Sequence, residues 1–107
     1  MALRDRRCVP CEGGATKLER AQIDALLSEL VGWRVEDDRL RKTRTMKDFP
    51  QAVLYVNAIG WIAEQENHHP DVAIAGWNKV ELTIFTHTLG GLSENDFVLA
   101  AKIDSLG

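Results

Sequence analysis

Glu64-Gln65-Glu66-Asn67-His68-His69-Pro70-Asp71 marks the place where a long apolar helical segment has to stop and an extended one has to begin. His69 precedes a proline, whose ring disfavours αR at the preceding residue and pushes it towards extended geometry. The two adjacent imidazoles are therefore expected to diverge and to do different jobs. Each has an ordinary pKa near about 6.5, so it can give or take a proton near neutrality, and a position close to a helix C-terminus favours the charged form. His87, the last of the three histidines, lies one hairpin downstream. Three imidazoles in one region read either as proton-transfer chemistry or as polar side chains in a surface turn, and spacing alone leaves both readings open.

Upstream of the stop, Asp48 is placed as an N-cap, Pro50 falls in the first turn, and Ala52 to Glu66 contains no terminator except Gly60. One face carries Phe49, Val53, Val56 and Ala63. Leu54, Tyr55, Ile59, Trp61 and Ile62 nevertheless spread apolar surface around most of the circumference, and such a helix must be covered on more than one side. A small two-layer domain covers one side, so self-association through this helix is expected. Downstream, Val72 to Trp77 reads as a strand, Asn78 as a turn residue and Lys79 to Thr88 as the best alternating run in the chain. Val80, Leu82 and Ile84 share one side, leaving Glu81, Thr83, Phe85 and His87 on the opposite face. Gly90-Gly91 breaks the run, Ser93 and Asp96 have the spacing of a cap, and Phe97, Val98, Ala100, Ala101 and Ile103 belong to a last helix.

The N-terminal half follows the same grammar. Thr16 and Glu19 have capping-box spacing, and Ile23, Leu26, Leu27 and Leu30 form a helical stripe ending near Gly32. Trp33 to Glu36 and Arg39 to Met46 flank Asp37-Asp38 as a hairpin. Arg39, Arg41, Lys42, Arg44 and Lys47 are read as the solvated face of an edge strand, with an anionic partner as the alternative. Trp33 is either a core anchor or an aromatic wall for a flat ligand. The order α-β-β-α-β-β-α predicts an α+β two-layer sandwich, a four-stranded antiparallel sheet with three helices on one face.

A chain of 107 residues has room for one domain, placed at 16–107 behind a flexible leader of residues 1–15. Cys8 and Cys11 in that leader form a C-x-x-C, but no second pair completes a zinc site and Gly13-Gly14 follows where a redox motif would start a helix. With 45% apolar and 27% charged residues and a net charge of −3, the composition implies no general attraction to nucleic acid or membrane. No apolar run approaches the ~20 residues of a membrane helix, the first residues lack the apolar core of a secretory signal, and a cytoplasmic location is expected.

Three blocks carry a family resemblance: Glu64-x-x-x-His68-His69-Pro70-Asp71, Trp77-Asn78-Lys79-Val80, and Thr86-His87-x-x-Gly90-Gly91-Leu92-Ser93-x-x-Asp96. Together they resemble the signature of the pterin-4a-carbinolamine dehydratases, over a span from Gly32-Trp33 to Ile103. The resemblance implies dehydration of 4a-hydroxytetrahydropterin to quinonoid dihydropterin, in recycling of the tetrahydropterin cofactor, without a metal or organic cofactor. By position it assigns His68 and His87 to proton transfer and His69 mainly to orienting the pterin. Glu64, Trp33, Pro70 and Asp96 fall in the substrate-binding set. Glu64 would orient an imidazole or accept from the pterin amino group, and Trp33 would stack on the ring. Asp96 would hold a loop or His87, or serve only as a helix cap. The resemblance further implies a homodimer or homotetramer, with no direct nucleic-acid partner. Trp77 stands where tyrosine is common and Asp71 where glutamate is also seen, and the C-x-x-C lies outside the signature. Two rival readings are a zinc hydrolase with three histidine ligands and a non-catalytic binding module. Adjacent, divergent histidines make an awkward metal pair and no H-E-x-x-H is present. The family includes a dimerisation partner of a transcription factor, but related non-catalytic chains have lost histidines that this one keeps.

Overall fold

Alternating apolar residues between two hairpin turns build the centre of the sheet, and the helices close over it. The computed structural model describes residues 2–10 and 14–107. The chain runs α1 (Arg20–Leu27), β1 (Arg34–Glu36), β2 (Arg39–Thr45), α2 (Phe49–Glu66), β3 (Asp71–Ala75), β4 (Lys79–Ile84) and α3 (Glu94–Asp104), with 3₁₀ turns at Leu3–Asp5 and His87–Leu89. The strands form one antiparallel sheet in the order β1-β2-β4-β3, which is the α+β architecture the alternation of helices and hairpins predicts. Asp37 and Asp38 both take positive φ, 52° and 58°, between the paired residues Glu36 and Arg39, as a two-residue hairpin of the favoured twist requires.

Val80, Leu82 and Ile84 of β4 are buried with Leu40 of β2 beneath Ala52, Tyr55 and Ile59 of α2 and Phe97, Leu99 and Ile103 of α3. Residues Asn95 to Ala100 are all buried, so α3 is covered on nearly every side. Two of its neighbours are α2 and the N-terminal 3₁₀ turn, whose Leu3 is only 3% exposed.

Several expectations are corrected. The capping box of α1 is made by Glu19 and Gln22 rather than Thr16 and Glu19. The Leu18 N–H is committed to the Leu92 carbonyl at 2.8 Å, which holds the preceding residues outside the helix. The inward face of α2 is Ala52, Tyr55, Ile59 and Ala63, whereas Phe49 and Val53 face solvent. β2 is an interior strand, the edges being β1 and β3. Its Lys42 and Arg44 share the parity of buried Leu40 and turn inward. Lys42 Nζ donates to Asp104 at 2.9 Å and the Arg44 guanidinium lies 4.8 Å from the Tyr55 ring centroid, so long aliphatic stems cover apolar surface while their heads find partners. β4 ends at Ile84, which takes His87 out of the strand altogether.

The segment expected to be a flexible leader packs against the body through residues 2–10. Leu3 joins the core, and the Val9 backbone exchanges two hydrogen bonds with the Asn95 side chain. Cys8 carries a free thiol, while Cys11, the other half of the C-x-x-C, lies outside the described residues. Among the described residues no helix is long and apolar enough to cross a membrane.

Candidate active site

Asn67 ends α2 by adopting left-handed geometry, φ 51° and ψ 41°, a conformation asparagine tolerates better than most residues. The His68 N–H then closes on the Ala63 carbonyl at 3.1 Å, so the chain leaves the helix at the first histidine. His68 turns inward and is 7% exposed; His69 turns out to solvent; half-buried Pro70 leads into β3. The divergence expected of the two imidazoles is therefore present, and each meets a different carboxylate.

His68 Nε2 lies 2.6 Å from Asp96 Oδ1. Asp96 is fully buried, and its Oδ2 accepts from the Thr86 hydroxyl and from the Ser93 N–H, both at 2.8 Å. Ser93 closes the circuit: its hydroxyl oxygen accepts from the Asp96 N–H at the start of α3 and lies 2.9 Å from Thr86 Oγ1. Because the Thr86 proton goes to Asp96, Ser93 supplies the proton between the two hydroxyls. A carboxylate accepts and does not donate, so Nε2 is the protonated nitrogen of neutral His68 and Nδ1 is the atom left to exchange a proton. Every member of this buried network has a partner, which is the condition for it to rigidify the site rather than cost stability.

The sheet explains why these residues meet. Asp71 pairs with Thr83, and continuing that antiparallel register places His68 opposite Thr86. The same extension of the β2–β4 register places Arg39 opposite Phe85, where its guanidinium lies 4.3 Å from the ring centroid. His87 stands two residues further on, exposed in its 3₁₀ turn and edge-to-face with Phe85 at 4.9 Å between centroids. His69 Nε2 is 3.0 Å from Glu64 Oε1 one turn back on α2, with both side chains exposed.

The structure thus gathers His68, Asp96 and the turn carrying His87 around Thr86, and sets His69 with Glu64 beside them. It does not bring Trp33 to them. The Trp33 ring is buried, its Nε1–H donates to both carboxylate oxygens of Asp104 at 3.0 Å, and Asp104 stands eight residues along α3 from Asp96, about 12 Å at the rise of a helix. This is the core-anchor alternative, and it leaves the indole no open face at the histidines. Asp96 holds His68 and Thr86 and also caps α3, so both of its alternatives hold in part, although its imidazole partner is His68 rather than His87. Thr86 and Ser93 were not singled out as site residues; their signal was adjacency to His87 and to the cap, which without pairing register pointed to neither. A cavity of about 570 Å³ lined by Leu3, Lys42, Arg44 and Asp104 opens towards the far end of α3, and no histidine lines it. Among the described residues no three His, Cys, Asp or Glu side chains gather as a metal site.

Fold and site together define a small α+β sandwich in which the end of a hairpin and the start of a helix lock one imidazole onto a buried carboxylate. Residues 16–106 match the model of the family Pterin 4 alpha carbinolamine dehydratase, and the chain belongs to that family. A Rickettsia bellii protein named as a pterin-4-alpha-carbinolamine dehydratase is 49% identical over 107 residues, covering 98% of this chain and 94% of its own. Similarly named proteins of Nitrosomonas eutropha and Rubrobacter xylanophilus are 45% and 44% identical over 105 residues, each alignment covering 97% of this chain and respectively 92% and 97% of theirs. The crystal structure of a transcriptional coactivator/pterin dehydratase from Brucella melitensis superposes with a TM-score of 0.80 at 28% identity, over 85% of this chain and 98% of that one.

Proposed function

We propose that the chain dehydrates 4a-hydroxytetrahydropterin to quinonoid dihydropterin by histidine general acid–base catalysis. The observation that carries this reading is the His68–Asp96 bond, which fixes the imidazole tautomer in a chain of this family. In the reaction an acid protonates the leaving hydroxyl and the C4a–O bond breaks. The neighbouring ring N–H gives its proton to a base, and its electron pair closes the C=N bond. Water leaves, no electrons are exchanged and no cofactor is consumed. His68 and His87 serve as the proton-transfer pair, and His69, held by Glu64, orients the pterin with Pro70 beside it. Positioned acids and bases contribute roughly 10²–10⁴-fold each.

The physiological setting we infer is recycling of the tetrahydrobiopterin type of cofactor in the cytoplasm by a homo-oligomer assembled through α2. Stopped-flow measurement of carbinolamine breakdown tests the chemistry. His68→Ala and His87→Ala are each expected to lower kcat by roughly 10²-fold or more. Unchanged rates in both would sink the assignment.

A further inference from the structure

Residues Arg6 to Val9 cross the gap between the end of α2 and the start of α3, the two elements joined by the His68–Asp96 bond. On the α2 side, the Cys8 N–H donates to Glu66 Oε1 at 2.8 Å, the Arg7 guanidinium pairs with Glu66 Oε2 at 3.0 Å, and Lys102 of α3 lies 3.8 Å from the same oxygen. On the α3 side, the Val9 N–H donates to Asn95 Oδ1 at 2.9 Å, Asn95 Nδ2 donates back to the Val9 carbonyl at 2.7 Å, and Arg6 pairs with Glu94. Glu66 is two residues ahead of His68, and Asn95 is the residue before Asp96.

Glu66 and Asn95 are both buried, with the Glu66 side chain only 5% exposed. Burying a carboxylate and an amide is unfavourable unless each is paired, and here the leader backbone supplies pairing to both. Without the segment, Asn95 would lose both of its side-chain partners and Glu66 would keep only Lys102, next to the two residues whose separation the site depends on. Surface charge alone would not explain the arrangement, because three of its hydrogen bonds join leader backbone to the buried Glu66 and Asn95 side chains.

We propose that Arg6–Val9 is a strap that sets the His68–Asp96 geometry, with Glu66 and Asn95 as positioning residues acting through the last turn of α2 and the first turn of α3. The proposal rests on the dehydratase reading for its kinetic consequence and on geometry alone for its structural one. A displacement of about 1 Å at a positioned catalytic group can cost on the order of 10² in rate, so loosening the strap should reach the chemistry.

The test uses the full chain carrying Glu66→Ala, Glu66→Gln or Val9→Pro. Val9→Pro removes the donor to Asn95 from the exposed side, without opening a cavity. Folding is checked by circular dichroism, turnover by stopped flow, and the site by the downfield proton resonance of the short His68–Asp96 hydrogen bond. Glu66→Ala and Val9→Pro are each expected to lower kcat about tenfold or more, to change KM by less than about threefold, and to shift or broaden that resonance. Glu66→Gln, which still accepts from Cys8, should stay within about threefold of the parent chain. A folded Val9→Pro chain with parental kcat and an unmoved resonance would overturn the strap and leave the segment a stability element. If the parent chain shows no dehydratase turnover, the functional reading fails, yet the resonance still decides the strap.

Discussion

Asp96 accepts three hydrogen bonds, from His68, Thr86 and the Ser93 backbone, without exposing an atom to water. An amide in its place has to turn its NH₂ towards one of those donors. With its oxygen kept for Thr86 and Ser93, the NH₂ faces His68 Nε2 and forces the proton onto Nδ1, the opposite tautomer. Asp96→Asn is therefore expected to fold, to lose about 1–3 kcal/mol of stability and to lower kcat by roughly 10²–10⁴-fold. Thermal unfolding and stopped-flow turnover measure the two effects, and a parental kcat would remove Asp96 from the role of orienting His68. Cys8 illustrates the opposite kind of residue. Burial, followed by the negative charges of Glu66 and Asp96, pushes its thiol up from an ordinary 9.0 to about 12. The folded state thus favours the protonated form: the contribution to stability is complete below pH 9 and is lost as pH rises from 9 through 12. In a Cys11→Ser background, alkylation of Cys8 at pH 8 should run at least about a hundredfold slower in the native protein than in urea, since the thiolate is the reacting species. Equal rates would contradict the half-buried, protonated thiol.

At the scale of elements, the first hairpin holds two consecutive non-glycine residues in left-handed geometry, each at a cost of about 1–2 kcal/mol. Asp38→Gly removes that cost at one position while adding about 0.4–1 kcal/mol of unfolded-chain entropy, so a net gain of a few tenths to about 1 kcal/mol is expected in denaturant unfolding. A loss would show that the Asp38 side chain itself stabilises the turn. The Asp37-Asp38 turn was legible because its residues carry the conformation locally, as were the Asp48 cap, the Ser93–Asp96 box and the alternating Val80-Leu82-Ile84 stripe. Less legible was whatever tertiary partners decide. The start of α1 moved because Leu18 is claimed by Leu92, and β2 was misjudged as an edge because the sequence of a strand does not say which strands flank it. The histidines were singled out by type and spacing, whereas Thr86 needed the sheet register that sets it opposite His68. Trp33 fitted two roles equally well until Asp104 was seen to hold its indole N–H.

At the scale of the whole molecule, the outer arc of α2 is an apolar surface left open to solvent. With Ala52, Tyr55, Ile59 and Ala63 turned to the core, α2 presents Phe49, Val53, Leu54 and Trp61 on its outer arc, Trp61 at 73% exposure. Gly60 lies on this arc with open space where a Cβ would stand, and a groove of about 530 Å³ runs through Val56, Asn57, Gly60 and Trp61 to Glu64. Glu64 is the carboxylate that holds His69, so whatever covers the arc also abuts the exposed half of the site. A second copy of the same helix offers the same apolar row and the same gap at Gly60, the self-complementary arrangement a two-fold interface needs. A buried tryptophan at such a contact typically contributes about 2–4 kcal/mol. Trp61→Glu should therefore weaken association by roughly 30- to 1,000-fold and shift the mass measured by light scattering at micromolar concentration towards the single chain. A parental chain that is already monomeric under those conditions would sink self-association through α2, and an unchanged oligomer in Trp61→Glu would move the interface elsewhere. Where association is lost, the exposed His69–Glu64 pair should be affected more than the buried His68–Asp96 pair, giving a rise in KM before a fall in kcat.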